Sequence, residues 1–247
     1  MKFANKNVVI AGGSQGIGLA TAKAFINEGA TVWITGRNAV NLQQAAKEIN
    51  SPNLKTVVSD TSNLEGIAVL EKAVAESKQK LDVLLLNAAT AIVAPIEQIT
   101  EADFDAQFNT NVKGHLFTLQ KLLPHLADGS SVTFISSGVA SAAFAGNSVY
   151  SATKAAINKI ADIAVNELAE RKIRVNIVSP GPIKTPGLES VASPEALTYL
   201  ASKNALQRLG TADEVASTVL FLASEAASYI NGADIAVDGG SLQYMLQ

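Results

Sequence analysis

The chain has 247 residues, of which 48% are apolar and 17% charged, so it holds ample material for a buried core. Its net charge is −3 and it contains no basic block, which argues against a nucleic acid as the main partner. It contains no cysteine, which excludes disulfides, thiolate catalysis and cysteine-ligated metals.

The beginning of the chain leads almost directly into an apolar run. Residues 1–6 leave no room for a signal peptide, and no apolar stretch reaches membrane-spanning length. We therefore expect a soluble, cytoplasmic protein that does not act at a membrane.

His115 and His125 lie ten positions apart in one predicted helix, which is a poor spacing for a shared metal. We predict no metal site, and a structural or surface role for each histidine.

Short apolar runs alternate with helical patterns from one end of the chain to the other. The predicted strands are 7–11, 31–35, 54–59, 81–86, 131–136, 173–179 and 233–237. The predicted helices are 16–28, 39–50, 63–79, 101–126, 149–170 and a last one from the Thr211–Glu214 capping box to about 223. We expect Pro124 to kink or end the helix 101–126 early. The alternation predicts a single-domain α/β fold, a doubly wound parallel sheet of about seven strands with helices on both faces.

The first strand is followed by three glycines, Gly12, Gly16 and Gly18, and then by a helix. Glycines let the chain turn tightly and let backbone N–H groups approach a pyrophosphate, while the helix directs its positive N-terminus to the same place. In a doubly wound sheet, ligands bind at this edge, near the point where strand order reverses. The pattern predicts nucleotide binding, and a flexible turn without a ligand is the alternative.

The end of the second strand bears on which dinucleotide would bind. A carboxylate there would accept hydrogen bonds from the adenosine ribose and repel a 2′-phosphate, but the sequence reads Thr35-Gly36-Arg37 and the next acid is Glu48. Arg37 offers a planar guanidinium suited to a phosphate, although a surface arginine is the alternative. We therefore favour NADP(H) over NAD(H). Asp60, at the end of the third strand, could accept from the adenine amino group or cap a turn.

Tyr150 and Lys154 lie one helical turn apart and therefore on one face of the predicted helix. A nearby ammonium lowers the pKa of a phenol, which would make Tyr150 a proton donor. The spacing alone is common in helices, and a buried tyrosine beside a snorkelling lysine is the alternative.

These motifs, in this order, resemble the compact form of the short-chain dehydrogenase/reductase family over essentially the whole chain. The resemblance rests on Gly12-x-x-x-Gly16-Ile17-Gly18, Asn87-Ala88-Ala89, Asn111-Val112-x-Gly114, Ser137, Tyr150-x-x-x-Lys154, Pro180-Gly181-x-Ile183-x-Thr185 and Asp238-Gly239-Gly240. It implies one Rossmann-like domain over 1–247. It also implies a homotetramer, with interfaces from helices 101–126 and 149–170 and from the tail that contains Tyr244, Met245 and Leu246.

The resemblance implies that Asn111, Ser137, Tyr150 and Lys154 are catalytic. Tyr150 would be the general acid or base, Lys154 would lower its pKa and contact the nicotinamide ribose, and Asn111 would anchor a water that connects Lys154 to solvent. Ser137 would bind the substrate oxygen, with Ser136 the competing choice. The residues that would bind the cofactor are Gly12, Ser14, Gln15, Gly16, Ile17, Gly18, Arg37, Asp60, Thr61, Asn87, Ala88, Ala89, Tyr150, Lys154, Pro180, Gly181, Ile183 and Thr185.

The activity so implied is hydride transfer between NADP(H) and a ketone or secondary alcohol. A 3-oxoacyl-thioester reductase of the fatty-acid type and a non-catalytic dinucleotide sensor are the alternatives. Substrate contacts are expected from 90–96, 139–147 and 186–206, the last being a candidate lid. One departure is Ala89, where the family usually has glycine, and its methyl group is costly only if the backbone φ there is positive.

Overall fold

Seven parallel strands form the sheet around which the chain is wound. The computed structural model describes residues 1–243. The strands in chain order are β1 (Asn7–Ala11), β2 (Thr31–Gly36), β3 (Leu54–Val58), β4 (Leu81–Leu86), β5 (Leu126–Ile135), β6 (Arg174–Pro180), β7 (Ile183–Lys184), β8 (Gly210–Thr211) and β9 (Asp234–Val237). The main sheet has the order β3-β2-β1-β4-β5-β6-β9, and β7 pairs with β8 outside it. Strand order therefore reverses between β1 and β4, where Ala11 pairs with Leu86.

Helices cover both faces of this sheet. In chain order they are α1 (Gly16–Asn27), α2 (Ala39–Ile49), α3 (Leu64–Ser77), α4 (Glu101–Phe108), α5 (Gly114–Leu122), α6 (Ser148–Glu167), α7 (Pro186–Glu189), α8 (Pro194–Ser202) and α9 (Ala212–Ala223). Alternate strand residues enter two separate cores. Leu84 and Phe134 pack with α3, α5 and α6, whereas Ile10 and Leu85 pack with α1, α2 and α9. The predicted fold class is thus confirmed, because both faces of each central strand are buried.

The predicted helix 101–126 is wrong as a single element. It is divided into α4 and α5 by one π-helical turn, Asn109–Lys113, in which the Gly114 N–H donates to the Asn109 carbonyl. It ends at Leu122, because Pro124 lacks an N–H and lies in a short 3-10 turn. The fifth strand begins at Leu126, five residues before the predicted 131, and reaches β4 through an irregular register.

The segment 186–206 contains more structure than the sequence analysis assigned to it. Helices α7 and α8 both begin with proline, and the residues before them, Thr185 and Ser193, accept hydrogen bonds from the backbone N–H of Leu188 and Ala196. A threonine or serine followed directly by proline is a sequence signal for the start of a helix. The predicted capping box at α9 is confirmed, and α4 begins with a capping box as well.

Across residues 1–243, no helix has both the length and the apolar composition that crossing a bilayer requires. The proposed interface residues Tyr244, Met245 and Leu246 lie outside the described residues, so the homotetramer stays a prediction.

Candidate active site

A cleft of about 440 Å³ opens at the carboxyl edge of the sheet, where the strand order reverses. The turns that follow β1, β2, β3 and β4 form its walls. Nine of the residues predicted to bind a cofactor line it, namely Gly12, Ser14, Gln15, Arg37, Asp60, Thr61, Asn87, Ala88 and Ala89. The structure thus brings together side chains from four separate stretches of sequence.

The turn after β1 is built from close backbone contacts that only glycine permits. Gly12 has a φ of +84°, and a Cβ on it would lie 2.7 Å from the Ala88 Cα atom. A Cβ on Gly18 would lie 2.1 Å from the Gly12 carbonyl oxygen. Asn87 closes the arrangement, because its Nδ2 atom donates to that same carbonyl at 2.5 Å. The first turn of α1 is therefore pressed against the turns after β1 and β4.

The N-terminus of α1 has the character of an anion site. Gln15 precedes the helix in an extended conformation and makes no side-chain cap, and no acidic residue occupies the first turn. The first N–H groups of this 12-residue helix therefore lack partners among residues 1–243. A Cβ on Gly16 would lie 3.3 Å from the Thr185 methyl group, so the β7 region meets the same turn. These residues fit the pyrophosphate of a dinucleotide.

One wall of the cleft carries a basic side chain, because Arg37 is exposed there. Gly36 carries no side chain, and a Cβ there would lie only 3.0 Å from the Ser14 Oγ atom. Asp60 Oδ1 accepts from the Ser62 N–H at 2.9 Å, so the turn-capping role left open by the sequence is present, and Asp60 also lines the cleft. Thr61 is buried beside it.

The departure at Ala89 is accommodated without strain. Ala89 is not among the residues with positive φ, so its methyl group sits on a backbone of ordinary geometry.

The turn after β6 is also closely packed, because a Cβ on Gly181 would lie 2.8 Å from the Asp238 Cα atom. The turn that follows Pro180, the last residue of β6, therefore packs against the Asp238-Gly239-Gly240 tail, and Ile183 in β7 is buried close by.

Tyr150 and Lys154 project from one face of α6, with the lysine Nζ atom 5.5 Å from the centroid of the tyrosine ring. Lys154 is fully buried, and its Nζ atom donates to the carbonyl of Ile135, the last residue of β5, at 2.9 Å. Ser137 lies two residues further on and begins a short 3-10 turn. The structure thus brings Ser137, Tyr150 and Lys154 together.

Burial dominates the ionisation of both groups. It raises the pKa of Tyr150 to about 12, an effect that the Ser137 hydroxyl partly opposes. It lowers the pKa of Lys154 to about 7. This corrects the expected direction of the Tyr150 shift, because the lysine that was to supply positive charge is itself only partly charged near neutral pH.

The two neighbouring serines differ in their surroundings. Ser136 is buried, and its Oγ atom has no hydrogen-bond partner among residues 1–243. Ser137 is half-buried, and its hydroxyl group acts on the pKa of Tyr150. This arrangement favours Ser137 over Ser136 as the substrate-binding serine.

Asn111 is fully buried in the π-helical turn. Its Oδ1 atom accepts from the Thr90 N–H at 2.8 Å, and its Nδ2 atom donates to the Thr90 carbonyl at 2.9 Å and to Thr153 Oγ1 at 3.0 Å. Thr153 in turn donates to the Tyr150 carbonyl at 2.7 Å. Both amide hydrogens of Asn111 are therefore used, so its side chain has no N–H left to donate to the expected water.

The sequence analysis missed two residues that border the site. His115 is buried and bonds to the Ala88 carbonyl at 2.8 Å, and Gln107 is buried and accepts from the Ile92 N–H at 3.1 Å. The signal was available, because Gln107, Asn111 and His115 are spaced four residues apart on one helix. His125, by contrast, pairs with Glu71 at 2.9 Å.

Known proteins resemble this chain along nearly its entire length. The family model described as enoyl-(acyl carrier protein) reductase matches residues 11–241. The oxidoreductase asL5 of Sarocladium schorii is 35% identical over 244 residues, which is 98% of each chain. The 3-oxoacyl-(acyl-carrier-protein) reductase FabG of Thermotoga maritima is 34% identical over 97% of this chain and 99% of its own.

A solved structure gives the same result. A short-chain dehydrogenase from Burkholderia cenocepacia in complex with NADP is 30% identical, with a TM-score of 0.90 over 98% of this chain and 100% of its own. The glycine turn, the serine beside β5 and the tyrosine–lysine pair on α6 thus accompany a match in sequence and in fold. This chain belongs to the short-chain dehydrogenase/reductase family of oxidoreductases.

Proposed function

We propose that this protein transfers a hydride between NADP(H) and a ketone or secondary alcohol, with Tyr150 as the general acid in the reduction. One observation carries the proposal. Tyr150, Lys154 and Ser137 are assembled on the sheet edge that also holds the glycine turn and the uncapped α1 N-terminus. A sensor that only bound a dinucleotide would have no use for a buried lysine beside a tyrosine.

The residues suggest how a carbonyl group would be reduced. A bound nicotinamide supplies the hydride. The Ser137 hydroxyl donates a hydrogen bond to the carbonyl oxygen, and Tyr150 donates its proton to that oxygen as negative charge develops there. With a pKa of about 12 the phenol keeps its proton near neutral pH, which is the form that reduction requires. In the oxidation direction Tyr150 would act as a base, and it would first need a positive charge nearby to lower its pKa.

The preference for NADP(H) is supported by the positive charge of Arg37 on the wall of the cleft. Arg37 is exposed there, and the neighbouring position, Gly36, has no side chain that could repel a 2′-phosphate. The Burkholderia relative in complex with NADP supports the same choice. The α2 N-terminus, which begins two residues after Arg37, adds to the positive potential.

A neutral, apolar substrate is supported by the surface around Tyr150. Exposed apolar side chains occur on all three segments expected to contact substrate: Val93, Ile96, Phe144, Val191, Tyr199 and Leu206. We propose that 186–206, with its helices α7 and α8, lies over the substrate. The homotetramer stays a prediction that follows from the family resemblance, and the cytoplasmic location stays an expectation from the sequence.

A 3-oxoacyl-thioester reductase is the second candidate, and the similarity to the Thermotoga enzyme favours it. An acidic carrier protein would need unpaired basic residues near the mouth of the site. Three basic residues of this region already have partners: Lys184 lies 3.9 Å from Glu189, Arg208 pairs with Glu214, and Lys203 lies over the Tyr199 ring.

The second function can be tested by comparing a 3-oxoacyl-CoA with a methyl ketone of the same chain length. A much higher kcat/KM for the 3-oxoacyl-CoA would favour it.

We expect Tyr150→Phe to lower kcat for ketone reduction by about 10²- to 10⁴-fold, because it removes the proton donor. The measurement is NADPH oxidation across a panel of ketones, with NADPH affinity measured separately and expected to change little. Tyr229→Phe is the matched control, because Tyr229 is fully exposed. Unchanged turnover in Tyr150→Phe would remove Tyr150 from the mechanism.

We expect Arg37→Ala to raise KM for NADPH by about tenfold, because it removes a charged hydrogen-bond donor to the 2′-phosphate. KM for NADH should change little. Lys47→Ala is the control, because it removes an equal charge from the exposed surface of α2. If wild-type enzyme used NADH as well as NADPH and Arg37→Ala altered neither KM, the cofactor assignment would be wrong.

Lys154 gives a prediction about stability and pH. Burial lowers its pKa from 10.5 to about 7, so between these values the unfolded chain holds a proton that the folded chain has lost. The buried ammonium therefore destabilises the folded chain, by on the order of a few kcal/mol, below pH 7, and the penalty disappears as the pH rises towards 10.5. We expect Tm of Lys154→Met minus that of wild type to be greatest below pH 7 and to fall steadily up to pH 10.

The control for this measurement is Lys159→Met, five residues along the same helix, where the lysine is exposed and pairs with Asp162. Its Tm difference from wild type should vary far less over the same range. A Tm difference for Lys154→Met that did not change between pH 6 and pH 10 would contradict the lowered pKa.

A further inference from the structure

Three polar side chains lie buried in a row along the helix that runs from α4 through the π-helical turn into α5. Gln107 and Asn111 are 0% exposed and His115 is 1% exposed. Each makes hydrogen bonds to the backbone of the segment 88–92, which leaves the sheet after β4. We name these three residues the 107–115 ladder.

The ladder contacts every second residue of that segment. His115 Nε2 lies 2.8 Å from the Ala88 carbonyl, Asn111 bonds to both the N–H and the carbonyl of Thr90, and Gln107 Oε1 accepts from the Ile92 N–H at 3.1 Å. Because a carbonyl can only accept, His115 is the tautomer with a proton on Nε2. The backbone of the segment is thus held by a row of side chains.

The π-helical turn keeps the three side chains in line. In a regular α-helix, residues four apart drift by about 40° around the axis, so residues eight apart would drift by about 80°. The π-helical turn at Asn109–Lys113 has more residues per turn than an α-helix and therefore offsets this drift.

The helix also lies close to the cleft. At Gly114, where α5 begins, a Cβ would lie 2.6 Å from the Thr61 carbonyl oxygen.

The two ends of the ladder reach different parts of the site. At one end, Ala88 lies against Gly12 in the glycine turn and lines the cofactor cleft. At the other end, Ile92 leads to Val93 and Ala94, and the Ala94 N–H donates to the Gly146 carbonyl at 3.0 Å. The segment 139–147, expected to contact substrate, is therefore connected to the Gln107 end.

We propose that His115 and Gln107 are positioning residues that act through the backbone of 88–92, His115 setting the cofactor cleft and Gln107 setting the substrate side. The inference rests on the proposed function for what binds at each end. It does not assign either residue a contact with substrate or cofactor. Asn111 joins the two halves, and through Thr153 it also connects them to the backbone of Tyr150.

The electrostatics of His115 suit a fixed hydrogen-bond donor. Its pKa is lowered to about 3, first by burial and then by the charge of Lys154, so the ring stays neutral over the working pH range. Burying a polar side chain is costly unless it is hydrogen-bonded, and an apolar residue would pack this helix at lower cost. Retaining three such groups indicates that their partners, the backbone groups of 88–92, need to be held.

The experiment compares two variants that each remove one end of the ladder. His115→Phe keeps an aromatic ring but loses the donor, and we expect it to raise Kd for NADPH by about three- to tenfold with little change in the KM of the ketone. Gln107→Met keeps the length of the side chain but loses the acceptor, and we expect it to raise the KM of the ketone by a similar factor with Kd for NADPH unchanged. His115→Gln retains a donor and should restore most of the lost affinity.

The matched control is Thr118→Val. Thr118 is also fully buried in α5, but its hydroxyl has no hydrogen-bond partner in the described part of the chain. Effects of His115→Phe and Gln107→Met no larger than those of Thr118→Val would overturn the proposal, and so would equal effects of both variants on both constants. A wild-type protein that bound no NADPH and reduced no ketone would instead contradict the proposed function.

A second measurement tests the ladder without any activity. Amide hydrogen exchange of the ligand-free protein reports directly on the Ile92 N–H, which Gln107 holds. We expect Gln107→Met to speed exchange in a peptide covering 88–94 by at least about fivefold relative to wild type and to Thr118→Val. Unchanged exchange there would show that Gln107 does not hold the segment.

Discussion

One hydrogen bond, from Asn87 Nδ2 to the Gly12 carbonyl, closes the point at which the sheet reverses its order. β1 and β4 are neighbours in the sheet, but β2 and β3 lie between them in sequence. The turns that leave them must therefore be joined by side-chain and backbone contacts. The Gly12 carbonyl is so crowded that a Cβ on Gly18 would lie 2.1 Å from it. Because of this close packing, the N-terminus of α1 lies at the cleft, and no side chain caps it within residues 1–243.

The same edge of the sheet holds two ionisable groups whose charged forms are both disfavoured. Burial raises the pKa of the Tyr150 phenol and lowers that of the Lys154 ammonium. The Ile135 carbonyl accepts one hydrogen bond from Lys154, but no carboxylate in residues 1–243 pairs with its charge. The lysine is therefore kept at a cost in stability. The proposed function accounts for this cost, because it gives Lys154 a role beside Tyr150.

Local patterns made much of this predictable. The glycine turn, the capping box of α9 and the tyrosine–lysine spacing depend on residues close in sequence, so their geometry follows from the sequence. The pKa direction of Tyr150 did not follow, because it depends on how much of the folded chain surrounds the phenol. The helices α7 and α8 were missed although Thr185 and Ser193 precede prolines in the manner of helix starts.

The π-helical turn shows most clearly why part of the site lay beyond the sequence. The segment 88–92 follows β4 but pairs with no strand within residues 1–243, so its backbone groups must find other partners. Polar side chains at every fourth position of the adjoining helix supply them, provided that one wide turn keeps those positions aligned. Through these side chains and the Ala94–Gly146 hydrogen bond, the cleft after β1 and β4 is connected with the segment 139–147.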